Sequence, residues 1–330
     1  MKVAAKFLRK TNRFLIAADV NPIGQRLVHY VDRLFPDRAI AFRLAHVVQP
    51  HHIPKLATGY VGEFSGLDLS GVIEGDRYRE AVKLLDEQSR DIVIHREVET
   101  IVLEGRPSAE IAQDAFSSGV ELAIVAPGAK GNFIPYGYST TINLMAQSKV
   151  PVMAIPQPAF KKELPERPCF LIADNLEDVS KGALAFTHHV ASRFSNSKIV
   201  HIHVAKGSKD EILKFGDLLQ EKMNLGIVPH KDNFSPQSFY NSVEDGVQKI
   251  LRGRMEAISN LDNENYECAA LFGKVSEQLA YAIEKWQPDF LVFGRHELMH
   301  MKPFSIGKMP FHGMLSYEIP IFLVPKAIYS

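Results

Sequence analysis

Four landmarks occur twice in this chain, in the same order. The apolar run Phe14-Leu15-Ile16-Ala17-Ala18-Asp19, which stops at a carboxylate, returns as Phe170-Leu171-Ile172-Ala173-Asp174. A glycine follows a strand-like stretch at Gly105 and again at Gly273. Leu122-Ala123-Ile124-Val125-Ala126-Pro127-Gly128 returns as Phe290-Leu291-Val292-Phe293-Gly294, and Pro151-Val152-Met153-Ala154-Ile155-Pro156 as Pro320-Ile321-Phe322-Leu323-Val324-Pro325. The offsets run from 155 to 169 residues. A repeat of that length is no solenoid unit, so each copy is expected to bury its own core. The expected units are residues 1–157 and 158–330.

Within each unit short apolar runs alternate with helical periodicity. Phe14 to Asp19 has the continuous apolar pattern of a strand covered on both faces. Pro22 then opens a helix with Leu27, Val28, Val31 and Leu34 along one side. Ala39 to Val48 reads as the second strand, Gln49 to Gly75 as a glycine-bearing loop, Asp76 to Arg90 as a helix, and Val93 to Leu103 as the third strand. A helix from Pro107, a strand Leu122 to Ala126, a helix capped by Ser139-Thr140-Thr141 and a last strand Val152 to Ile155 complete the unit. The second half repeats this order, with two helices (Asp210 to Met223 and Tyr240 to Asn260) before its third strand. Alternating strands and helices imply an α/β fold, two tandem doubly wound parallel sheets, with ligands at the carboxyl ends of the strands. Asp19, Val47 and Gly128 fall at such ends.

Composition narrows the classes of partner. Lys+Arg and Asp+Glu both count 38, so nothing in the net charge points to nucleic acid or a membrane surface. No segment reaches the roughly 18 unbroken apolar residues of a membrane helix, and residues 1–12 lack the apolar core of a signal peptide. Cys169 and Cys268 stand far apart in strand-like runs, as buried thiols in a reducing compartment would. The expectation is a cytoplasmic protein.

On these residues the chain resembles the universal stress protein family in its tandem two-domain form. The likeness rests on Asp19 and Asp174, on His46-Val47 and His203-Val204 ending the second strands, on the glycines after strands three and four, and on the closing Pro-Val or Pro-Ile strands. It implies an adenine nucleotide alpha hydrolase-like fold, two domains paired as an intramolecular pseudo-dimer, and a homodimer as a further state. It also implies action by binding ATP or another adenine nucleotide, or a protein partner, in a stress response. The implied contacts are Asp19 and Val47 beside the adenosine portion, with Gly128, Gly131, Ser139 and Thr140 around the phosphates; their second-half counterparts are Asp174, Val204, Gly294 and Gly307. Side-chain-free turns let backbone N–H groups approach phosphate, and a hydroxyl at a helix N-terminus adds a donor. Both halves depart from the family pattern. Ser139 follows Gly131 by eight positions where the pattern has eleven. In the second half Glu297 and Lys308 stand where glycine and a hydroxyl belong, which makes that site degenerate.

Two enzymatic readings compete with binding. One is ATP hydrolysis at the first-half site, with Asp19 as a general base. The other is a metal-dependent hydrolase, because His296-Glu297-Leu298-Met299-His300 matches the H-E-x-x-H pattern of zinc peptidases. That motif directly follows a strand, Pro303 limits any helix, and no third ligand stands at a standard spacing, so a polar loop and no metal are expected. His51-His52 reads as solvated loop, and no Ser-His-Asp or Cys-His set is indicated.

Overall fold

The computed structural model describes residues 12–49, 69–127, 140–258, 265–295 and 318–326. The described residues fall into two compact units divided between Leu164 and Pro165. The first contains β1 (Arg13–Ala17), α1 (Pro22–Leu34), β2 (Ala41–Val48), α2 (Leu69–Arg90), β3 (Val98–Glu104), α3 (Pro107–Ser117), β4 (Leu122–Val125), α4 (Thr140–Gln147) and β5 (Val152–Ala154). A 3-10 turn over Gln157–Lys161 stays with this unit, because Phe160 sets its ring 5.7 Å from that of Tyr30 on α1. The second contains β6 (Cys169–Ala173), α5 (Asp178–Ala191), β7 (Lys198–Ala205), α6 (Lys209–Asn224), α7 (Pro236–Glu256), β8 (Tyr266–Phe272), α8 (Val275–Trp286), β9 (Phe290–Arg295) and β10 (Ile321–Pro325).

The first sheet runs β3-β2-β1-β4-β5 and the second β8-β7-β6-β9-β10, and the pairings within each are parallel. In both, the chain winds outward for three strands and then returns to the other side of the first, so the switch in strand order lies between β1 and β4 and between β6 and β9. The inner strands are mostly buried, as sheets covered on both faces require. Phe14, Leu15, Ile16, Leu44, Leu122 and Ile124 fill the first core; Phe170, Phe186, Phe290 and Phe322 form the aromatic centre of the second.

Two element boundaries differ from the sequence reading. Leu69 to Gly75, expected as loop, is the opening of α2. Glycine costs a helix about 1 kcal/mol, which a long helix absorbs because propagation is cooperative once nucleated. The strand expected from Val93 begins only at Val98. The amides of Val93 and Ile94 donate instead to the Asp32 carboxylate at the end of α1 (2.9 and 3.2 Å), which Arg96 also meets at 3.1 Å. Arg96 has no exposed side chain and lies 4.1 Å over the Phe42 ring; burial lowers its pKa from the usual arginine value, against the pull of Asp32.

The turn from β1 into α1 is closed by Asn21, whose side chain accepts from the amides of Ile23 (2.8 Å) and Gly24 (3.0 Å). A Cβ at Gly24 would overlap the Asp19 carbonyl oxygen, so the chain can pass this close to the helix only over a glycine. Helix propensity alone would make Gly24→Ala stabilising. The backbone overlap reverses the sign: the variant is expected to lose about 1–3 kcal/mol in urea denaturation, and an unchanged or raised midpoint would contradict this packing.

Candidate functional site

The carboxyl ends of β1 and β2 open on a cleft in the first unit, with a volume of about 470 Å³. Val20, His46, Val47 and Arg77 are among its lining residues. His46 is fixed by its Nδ1, which donates to the Ala18 carbonyl over 3.1 Å. Val47 is nearly buried, at 9% exposure, so it offers backbone more than side chain. Arg77, on α2, reaches the Gln49 carbonyl over 3.4 Å; it is a cation at the cleft that sequence spacing did not reveal, because only the fold brings α2 beside β2. Asp19 follows β1 with its carboxylate exposed and without a hydrogen-bonding partner among the described residues. Its backbone is held, by contrast: Gln88 Nε2 donates to the Asp19 carbonyl at 3.0 Å. Thr140 opens α4, the helix after β4. Gly128, Gly131, Ser139 and Gly307 lie outside the described residues, as do His296, Glu297, His300 and the pair His51-His52.

In the second unit the aspartate at the end of the first strand sits elsewhere. The Ala18 amide donates to Ala45 O and the Asp174 amide to Ile202 O, both at 2.9 Å. His46 bonds Ala18 O just as His203 bonds Asp174 O, at 2.7 Å. Asp174 is therefore the counterpart of Ala18, and Asn175 is the counterpart of Asp19. The repeat reads one residue longer in the first half, where Ala17-Ala18 precede the acid. A shift of one residue moves a side chain to the other face of a strand, and the equation of Asp19 with Asp174 drawn from sequence is corrected by that step. The same comparison moves the glycine after strand four. Gly294 lies inside β9, paired with Val324, and so takes part in the ladder instead of forming a loop that presents amides. Val204 is within β7, opposite Leu271.

Asp174 is consequently wrapped. Its side chain has no exposed surface. Oδ2 accepts from Arg254 Nε at 2.8 Å and from His201 Nε2 at 2.9 Å. Oδ1 accepts from the Leu176 amide at 2.6 Å and from Arg254 Nη2 at 3.3 Å. Arg254 also donates to the carbonyls of Glu177 (2.8 Å) and Leu176 (3.3 Å), which fastens α7 to the β6–α5 turn. With Nε2 donating to the carboxylate, His201 Nδ1 is left as an acceptor, and the Tyr266 hydroxyl 2.8 Å away donates to it. Burial opposes the Asp174 charge, but the His201 hydrogen bond, the Arg254 cation and the Leu176 amide outweigh it and hold the carboxyl below its usual pKa. Burial lowers the His201 pKa in spite of Asp174, so the ring is neutral in the folded chain. Burial likewise raises that of Tyr266.

No family profile matches the sequence, and no curated protein matches it. Solved structures do. A universal stress protein from Archaeoglobus fulgidus DSM 4304 aligns over 95% of this chain and 96% of its own, with a TM-score of 0.61 at 13% identity. A protein of unknown function from Pseudomonas aeruginosa PAO1 aligns over 97% and 94%, with a TM-score of 0.56 at 11% identity. At such identities the likeness carries the fold: the chain is an α/β protein with the universal stress protein fold, matched over 95% or more of its length. Among the described residues no helix is long and apolar enough to cross a membrane, and no cluster of His, Cys, Asp and Glu could hold a metal ion.

The Asp174 cluster yields two expected outcomes. Arg254→Ala leaves a buried carboxylate without its cation and is expected to cost about 3–5 kcal/mol, read by denaturant unfolding; a loss under about 1 kcal/mol would contradict the pairing. The folded pKa of His201 lies below its unfolded value of 6.5, so the unfolded chain binds more protons as pH falls. Stability is then whole above pH 6.5 and declines below it, and His201→Gln is expected to flatten that decline, leaving what His188, also depressed by burial, contributes.

Proposed function

We propose that this protein is a stress-response protein of the cytoplasm that acts by binding an adenine nucleotide, one per chain, in its first half. The observation that carries the reading is the asymmetry of the two aspartates. Asp19 presents an exposed carboxylate at the end of β1, near the switch in strand order where ligands of doubly wound sheets lie. Asp174 is buried and bonded by two side chains of its own unit, His201 and Arg254, and by the Leu176 amide. Val47 borders a cleft of about 470 Å³, and Arg77 lines the same cleft, a cation suited to a phosphate. Thr140 at the head of α4, together with the Gly128-Ala129-Lys130-Gly131 stretch before it, supplies the residue types that cradle phosphates. The buried free thiols Cys169 and Cys268, the first pushed up to about 11 by burial, fit a reducing compartment.

Calorimetric titration with ATP tests the reading. The expected result is one site per chain, weakened about tenfold or more by Asp19→Ala or Arg77→Ala and abolished by Gly131→Glu, which places a carboxylate against phosphate. Asp174→Asn is expected to leave ATP affinity unchanged. Two equivalent sites, or a Gly131→Glu chain that binds as the parent does, would overturn the proposal.

A further inference from the structure

The last strand of the second sheet leaves a set of backbone groups without partners among the described residues. β8 ends the order β10-β9-β6-β7-β8. The Ile199 amide donates to Asn265 O and the Gly273 amide to Ala205 O, which fixes the phase of the β7–β8 ladder. Residues 265, 267, 269, 271 and 273 therefore bond β7, and the N–H and C=O groups of Cys268, Ala270 and Phe272 point to the open side. That edge is not flat. It forms the floor of a groove of about 400 Å³ walled by α7 and α8.

Two ammonium groups stand at its ends. Near the end of β8, Tyr240 sets its ring 5.3 Å from that of Phe272, and Lys209 Nζ lies 4.9 Å from the Tyr240 ring. Near the start, the Trp286 indole donates to Glu267 over 2.8 Å, and Lys285 Nζ lies 4.3 Å from the Trp286 ring. Neither ammonium has an ion pair among the described residues. The Glu267 carboxylate is already met by Lys198 at 2.7 Å as well as by Trp286. Between the two lysines, Glu244 lines the α7 wall and disfavours an acid at the centre.

We propose that this groove docks an extended peptide of about six residues, with carboxylates near its two ends and none between, which adds to β8 as an extra strand. The bare amides and carbonyls supply the ladder, and the lysines supply the ends. Charge also decides against a second copy. Two β8 edges paired antiparallel would set the Lys209 end of each against the Lys285 end of the other, and lysine on an edge strand is a device against such pairing. The proposal is independent of nucleotide binding in the first half.

The probe is an acetylated, amidated heptapeptide Glu-Thr-Val-Thr-Val-Thr-Glu, titrated into the full chain while the fluorescence of Trp286, the only tryptophan, is followed. Saturable binding is expected. N-methylation of alternate amides of the peptide should weaken it about tenfold or more by removing ladder bonds, and replacing both glutamates by lysine should do the same. Ala270→Pro removes one outward N–H that β7 does not use and should weaken binding to a similar degree; proline is tolerated on the solvent side of an edge strand. If that variant does not fold, the N-methylated peptide on the parent chain decides. No saturable response up to millimolar peptide, or equal binding of the N-methylated peptide, overturns the proposal. So does a concentration-dependent dimer of the chain that Ala270→Pro abolishes, because the occupant would then be a second copy.

Discussion

The register of the first strand on the second decides which acid faces water. In both halves the ladder holds the chain to the same point, at Ala18 in one and Asp174 in the other. The residue at that point turns inward, and the next turns outward. The first half places alanine inside and aspartate outside; the second places aspartate inside and asparagine outside. Much of what distinguishes the halves follows from that single step, because a carboxylate without exposed surface must be met by donors. His201 on β7 and Arg254 on α7 meet it, and Tyr266 on β8 bonds His201 in turn.

The turns that follow the strands diverge for the same reason. In the first half Asn21 caps α1, and Gly24 lets the Asp19 carbonyl lie against the helix. In the second half the Asp174 carboxylate takes the Leu176 amide, Asn175 accepts from the Glu177 amide at 3.1 Å, and Ser180 donates to Asn175 at 2.6 Å. Leu176 is held at a φ of 63°, a left-handed conformation uncommon for a leucine, with both its amide and its carbonyl bonded. One turn is open at its acid; the other is closed by a web of charge-assisted bonds. The two units thus share one strand order, while only the first presents an exposed acid at the strand end.

Much of the fold was legible from residues alone. The continuous apolar strands, the glycine after β3 and the order of helices set the doubly wound topology, because burial on both faces leaves few alternatives for runs such as Phe14 to Ala18. Register was not legible. Asp19 and Asp174 both end an apolar run, and only the ladder shows that they differ by one position. Gly294 looked like a loop glycine for the same reason. Arg254 lies 80 residues from Asp174, and Arg77 reaches its cleft through a helix whose start lay hidden among glycines, so no local spacing could connect either residue with its site.

The central claim is that the first half alone offers an open ligand site at its strand ends. Amide hydrogen exchange with and without saturating ATP tests it most directly. The account predicts slowed exchange in residues 18–24 and 46–49, with no change in residues 174–180 and 203–206. Protection in the second set, or in neither set, would contradict it.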